Sequence, residues 1–247
     1  FQKGFEVVTD ESDRFQPTRE TQRLLQNSSN RVDTANDEWS IPNWHAATGQ
    51  NVLTWVYHGV ADDPKGHGHD WPVVKARGLV EASPRELLDF LWDSSQIRKY
   101  SKISQGRDDV LILQEGVDTT AEESMCGFAG QAKIVRALVK LKLLPPTIEM
   151  LSLWYSKPLE NGAYMITSRS VWEDDSGVHV MSSSNLRSEM LLGVHLLRPV
   201  VGEACCCELT TITHVFSPGL PEMMVTRCAP NSATGTIRDL QALFLAK

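Results

Sequence analysis

The chain has 247 residues, 41% of them hydrophobic, enough for one large buried core. Its formal charge of −7 leaves no electrostatic footprint for nucleic acid, although Lys133, Arg136, Lys140 and Lys142 form a locally basic stretch. No charged leader precedes an apolar run, and no apolar stretch reaches the roughly 18 residues of a membrane span, so a cytoplasmic protein, peripheral to membranes at most, is expected.

Residues 1–38 read as a polar lead-in, with one short helix around Leu24 and Leu25, and a folded domain is expected over 39–247. Because the chain opens on Phe1, it reads as a piece of a longer one with room for further domains. The runs Asn51 to Val60 and Trp71 to Val80 are β-branched and aromatic and predict paired strands. The polar loop between them carries His67 and His69, two metal-capable side chains with no third ligand nearby in sequence.

Ser83, Pro84 and Glu86 form a helix start, with a capping hydroxyl, a proline at the first turn and an acid three residues after the cap. Leu87, Leu88, Leu91 and Ile97 give this helix a buried face with Trp92 at its edge, and the spacing predicts an end near Arg98 to Tyr100.

Strands follow over Val110–Leu113, Ala132–Leu143, Glu149–Ser156, Ala163–Glu173, Val178–Ser184, Met190–Pro199 and Ala204–Phe216. Turn signals at 160–162 and 174–177 favour antiparallel hairpins. Ile134 to Leu144 also fits helical periodicity, and both readings stand. The consecutive Cys205, Cys206 and Cys207 match neither a redox pair nor a zinc site, and read as packing residues on alternating faces.

The chain ends in helical spacing from about Leu220 through Ile237, Leu240, Leu243 and Phe244. Pro230 is expected to kink it or divide it into two helices. No GxSxG, HExxH, Walker or GxGxxG arrangement is present, so neither catalysis, nor a cofactor, nor a metal is expected.

Four stretches, in order, carry a resemblance: VVKARGLVEASPRELLDFLWD at 73–93, NGAYMITSRSV at 161–171, GVHLLRP at 193–199 and ELTTITHVFSPGLPEMMV at 208–225. Together they resemble the START domains, the lipid-binding modules related to the steroidogenic acute regulatory protein. The resemblance implies an α+β helix-grip fold, in which a curved antiparallel sheet and a long C-terminal helix enclose a hydrophobic tunnel for one lipid. It also implies noncatalytic lipid transfer or sensing with transient membrane contact. A regulatory or protein-interaction module with a vestigial pocket is the competing reading.

The chain departs from the family pattern at Tyr100 and Ser101, at Ile148 and Glu149, and across His214 to Gly219. Tyr155 falls where sterol-binding members place a buried arginine, so a sterol is not supported. Strand parity puts Met165, Thr167, Arg169 and Val171 on one face and Tyr164, Ile166, Ser168, Ser170 and Trp172 on the other, without saying which faces inward. The lipid-lining candidates are Tyr155, Met165, Thr167, Arg169, His195, Leu220, Met223 and Met224. Arg169 would pair with an acidic head group if inward, and Leu220, Met223 and Met224 read either as an adaptable lid or as core.

Overall fold

The computed structural model describes residues 15–29, 51–57, 71–124, 127–141, 147–171 and 184–246. The loop with His67 and His69, Lys142, Trp172 and nearly all of the strand expected over Val178–Ser184 lie outside the described residues.

Among the described residues ten strands form one sheet: β1 Phe15–Pro17, β2 Leu53–Tyr57, β3 Val73–Val80, β4 Ser104–Gln114, β5 Gln131–Val139, β6 Ile148–Pro158, β7 Tyr164–Ser170, β8 Leu186–Arg187, β9 Glu189–Val200 and β10 Glu203–Phe216. Their order is β1-β2-β3-β10-β9-β7-β6-β5-β4, antiparallel throughout, with the two-residue β8 added parallel to β6. Gln131–Val139 is therefore a strand, paired on both edges, and not the helix that its Ala, Leu and Lys content also permits. Strand β4 begins six residues before the apolar run Val110–Leu113, in a polar stretch that lacks a strand signature.

Among the described residues there are also four α-helices: α1 Arg19–Ser29, α2 Pro84–Trp92, α3 Ile97–Tyr100 and α4 Glu222–Leu245. The Ser83 hydroxyl accepts from the Glu86 amide, as the cap reading requires. The helix ends earlier than its spacing predicts. Asp93 leaves helical geometry, caps a 3-10 turn over Ser94–Gln96 through the Ser95 amide, and splits α2 from α3.

Helix α4 runs unbroken through Pro230, against the expected interruption. A proline removes one amide and crowds the carbonyl four residues earlier. That carbonyl belongs to Thr226, an exposed residue, so the group the proline leaves unpaired lies on the solvent side of the helix. Leu220 precedes the helix, in a turn whose amide donates to the Ser217 carbonyl.

Two apolar clusters fix which face of the sheet is which. Val74, Ala76, Ile166, Leu197, Cys207 and Leu209 pack with Leu87, Leu88 and Leu91 of α2 and Ile237, Leu240 and Phe244 of α4. On the opposite face Leu53, Trp55, Met165, Val194, Leu196 and Ile212 pack together, with Leu24 of α1 against them. The described part of the N-terminal segment is attached there: β1 pairs with β2, and the Thr21 hydroxyl accepts from the Thr54 amide at 2.7 Å.

Candidate functional site

Strand register carries the helix-facing surface across the sheet in two lines. One runs Gln131, Ser156, Ile166, His195, Thr211, Ala76, and the next runs Lys133, Trp154, Ser168, Gly193, Thr213, Val74. Several of these positions are small and polar, set among Val74, Ala76 and Ile166, which pack against the helices. Gly193 leaves the second line room for the Ser168 hydroxyl, since a Cβ there would stand 2.1 Å from Ser168 Oγ and 3.2 Å from Met190 Sδ and would push both aside. Trp154 and His195 keep accessible surface although they point between the layers.

At the β4–β5 end of this surface two cations are buried. Arg107 is 5% exposed. Its Nε donates to Ser94 Oγ at 3.0 Å, and its Nη2 donates to the carbonyls of Leu91 at 2.7 Å and Trp92 at 3.2 Å. Those carbonyls lie at the C-terminal end of α2, where the helix leaves acceptors unused and its dipole is negative. The guanidinium lies 4.2 Å from the centroid of the Trp154 ring. No carboxylate among the described residues pairs with Arg107, and its Nη1 is buried without a hydrogen-bond partner.

Lys133 is 2% exposed and reaches the same helix end, donating to the Trp92 carbonyl at 2.6 Å. It pairs with Asp109 Oδ1 at 2.8 Å and sits 4.9 Å over the Trp92 ring. Ser94 ties the group together by accepting from Arg107 and donating to Asp109 at 2.5 Å. Asp109 thus pairs with Lys133 alone, and it reaches Arg107 only through the Ser94 hydroxyl.

Burial lowers the Lys133 ammonium below its ordinary value, while Asp109 pulls it back up. Burial raises the Tyr100 phenol, against the pull of Arg107. Burial first, and the charge of Arg107 second, push the His195 imidazole down to about 4. His195 is therefore neutral at physiological pH. Its Nδ1 has no hydrogen-bond partner, and neither does Ser156 Oγ, two positions across the sheet. Unsatisfied buried polar atoms are costly and call for an explanation, such as a ligand that meets them.

Of the residues singled out in sequence, His195 faces this site. Tyr155, Met165, Thr167 and Arg169 stand on the opposite face, where Tyr155 pairs with Thr167 and Thr167 with Val194. Met165 is wholly buried in the second cluster, Arg169 is exposed, and the Tyr155 hydroxyl donates to the Ala129 carbonyl. Leu220 is buried, Met224 half-buried, and Met223 is 67% exposed. Cys206 is pushed up to about 11 by burial and Cys207 is raised as well, so neither thiol is poised for reaction.

Arg107, Lys133 and Trp154 were not singled out as site residues. Arg107 sits in the charged stretch Gly106–Asp109 ahead of the apolar run, and three register shifts in β4 scramble its parity. Lys133 reads as part of the surface patch with Arg136, yet its side chain points inward. The available signal was a lysine two residues before Val135, which is fully buried on the same face. Among the described residues no three His, Cys, Asp or Glu side chains converge on a metal position. No helix there is long and apolar enough to cross a membrane.

No family model and no curated protein matches the chain. Solved structures do. The human StarD13 (DLC2) lipid transfer and protein localization domain superposes with a TM-score of 0.61 at 14% identity, over 92% of this chain and 97% of that one. Human STARD10 gives 0.63 at 15% identity, over 97% and 78% of the two chains. Human StAR-related lipid transfer protein 5 gives 0.62 at 16% identity, over 92% and 96%. The large antiparallel sheet with a long C-terminal helix is thus the helix-grip fold of START domains.

Proposed function

We propose that this domain binds one lipid between the sheet and α4, with an anionic head group against Arg107, and carries or senses it between membranes. The observation that carries the reading is Arg107 itself, a buried guanidinium whose Nη1 has no hydrogen-bond partner and which meets no carboxylate among the described residues. A buried charge without a counterion is expensive. A phosphate or carboxylate arriving with the lipid would supply the missing partner, and guanidinium geometry suits both. His195 Nδ1 and Ser156 Oγ offer polar contacts close to the same end of the sheet.

The apolar cluster formed by α2, α4 and the sheet supports the rest of the reading. Alkyl chains removed from water there contribute about 0.8 kcal/mol per methylene. The names of two superposed structures, each a lipid transfer domain or protein, point the same way. Holding a lipid needs no catalytic group.

The test is native mass spectrometry of the purified protein after incubation with vesicles of mixed lipids, for the wild type and for Arg107→Met. A one-to-one adduct with an acidic or zwitterionic phospholipid or a fatty acid, reduced at least tenfold in the variant, is expected. Sterol retained equally by both proteins would remove the head-group assignment. No adduct of any kind would leave the domain as an interaction module.

A further inference from the structure

The hairpin β4–β5 separates charge along its length. At its open end, where β4 starts and β5 finishes, Arg98, Lys99, Lys102 and Lys140 are all exposed. Two of them are tied to the start of β4: the Lys140 amide donates to the Ile103 carbonyl, and the Arg98 guanidinium donates to the Gln105 carbonyl. Lys102, 83% exposed, meets Asp239 of α4 at 2.5 Å, the one carboxylate that pairs with this group among the described residues. At the closed end, the loop from β4 to β5 exposes Glu115, Asp118, Glu122 and Glu123, with Arg85 paired to Asp118. An 11-residue strand separates the two ends, about 35 Å at the usual rise.

A chain of net charge −7 has little general attraction to an anionic surface, so a pole of this kind must act locally. Docked through the cationic pole, the molecule points its acidic loop away from the surface, so the same charge separation that attracts one end also fixes the orientation. The pole borders the C-terminal part of α4, where Phe90 of α2 stacks on Tyr100 of α3 and on Phe244 of α4, with Leu245 54% exposed beside it. Long basic side chains on a face that borders the end of α4, where Leu245 is exposed, suit an interface of charged head groups over an apolar interior.

We infer that the face made by α3, the start of β4 and the end of β5 docks the domain on an anionic lipid bilayer. This gives the proposed carrier its point of contact and rests on that reading for its purpose, but the surface is separate from the buried Arg107 site. Each basic side chain close to an anionic leaflet strengthens binding about fivefold.

Flotation with vesicles of phosphatidylcholine alone, and of phosphatidylcholine mixed with phosphatidylserine, tests the inference. Wild type is compared with R98E/K99E/K140E and with R19E/R23E/R227E, which changes net charge equally at exposed positions elsewhere. Lys102 is kept, because its partner lies on α4. The wild type should float with the mixed vesicles only and release as salt rises. The first variant should lose at least about a hundredfold in affinity and the control little, with both still folded by circular dichroism and the first melting slightly earlier because Arg98 no longer bonds the Gln105 carbonyl. Equal binding to both vesicle types, no binding, or equal loss in both variants would overturn the docking face. Lipid adducts are measured on the same samples. Vesicle binding without an adduct sinks the carrier reading and keeps the docking face, whereas an adduct without vesicle binding does the reverse.

Discussion

Gly78 on β3 faces Ile237 on α4 so closely that a Cβ on the glycine would stand 2.6 Å from the isoleucine Cγ2. Gln241, one helical turn further on, donates from Nε2 to the Leu79 carbonyl at 2.9 Å, so α4 is gripped by packing and by a buried hydrogen bond at one place. The sheet carries α4 here, and whatever lies beneath the helix depends on this contact. Gly78→Ala should lower stability by about 1–3 kcal/mol through overpacking. Denaturant melts check it, and lipid exchange faster than wild type at matched stability would show the helix displaced as well as the fold weakened.

The pair between Lys133 and Asp109 is asymmetric, since the ammonium is almost fully covered and the carboxylate is one-third accessible, 3% against 33%. Removing the acid strands a buried cation. Asp109→Asn is expected to destabilise by about 2–3 kcal/mol, below the usual figure for a fully buried pair because water screens Asp109. Lys133→Met in the same chain should recover most of that loss. Chemical denaturation of the two single variants and the double variant gives the coupling, and additive losses would mean that the pair does not act as a unit.

Ser83 is the signal most plainly written in the sequence, and its hydroxyl meets the Glu86 amide at 3.2 Å. Ser83→Ala should cost about 1 kcal/mol, with Ser83→Gly closer to neutral. The same melts measure it. Since α2 presents its last carbonyls to Arg107 and Lys133, the alanine variant also asks whether loosening the first turn is felt at the last.

The architecture was legible because it rests on local, repetitive signals: β-branched runs, turn residues, a capped helix start and an apolar stripe that ends at Phe244. The site was not, because it depends on which face of each strand the helices cover. Period-two alternation separates Met165 from Ile166 but carries no label for inside. Met165, wholly apolar, fills the opposite face, while the covered face is lined by serines and threonines that read as solvent-facing. Arg107 was hidden for a second reason. Its environment is assembled from the end of α2, the 3-10 turn at Ser94 and Trp154 on β6, distant in sequence and joined only by the fold.

His195 supplies a pH-dependent signature of the same interior. Its imidazole is held at about 4 in the folded protein, mainly by burial and then by Arg107, against an ordinary value of 6.5. A basic group depressed by folding stays unprotonated in the native state while the unfolded chain takes up a proton, so the unfolded state binds more protons between these two values. Stability is therefore retained above 6.5 and lost as pH falls from 6.5 towards 4, by on the order of 3 kcal/mol at most. Denaturant titrations across that window should show the slope in the wild type and a flatter one in His195→Gln. A lipid phosphate beside Arg107 would remove the secondary cause and raise the imidazole, so the loaded protein should lose less stability than the empty one over the same interval. Identical slopes in wild type and His195→Gln would show that His195 titrates freely and is not buried beside Arg107.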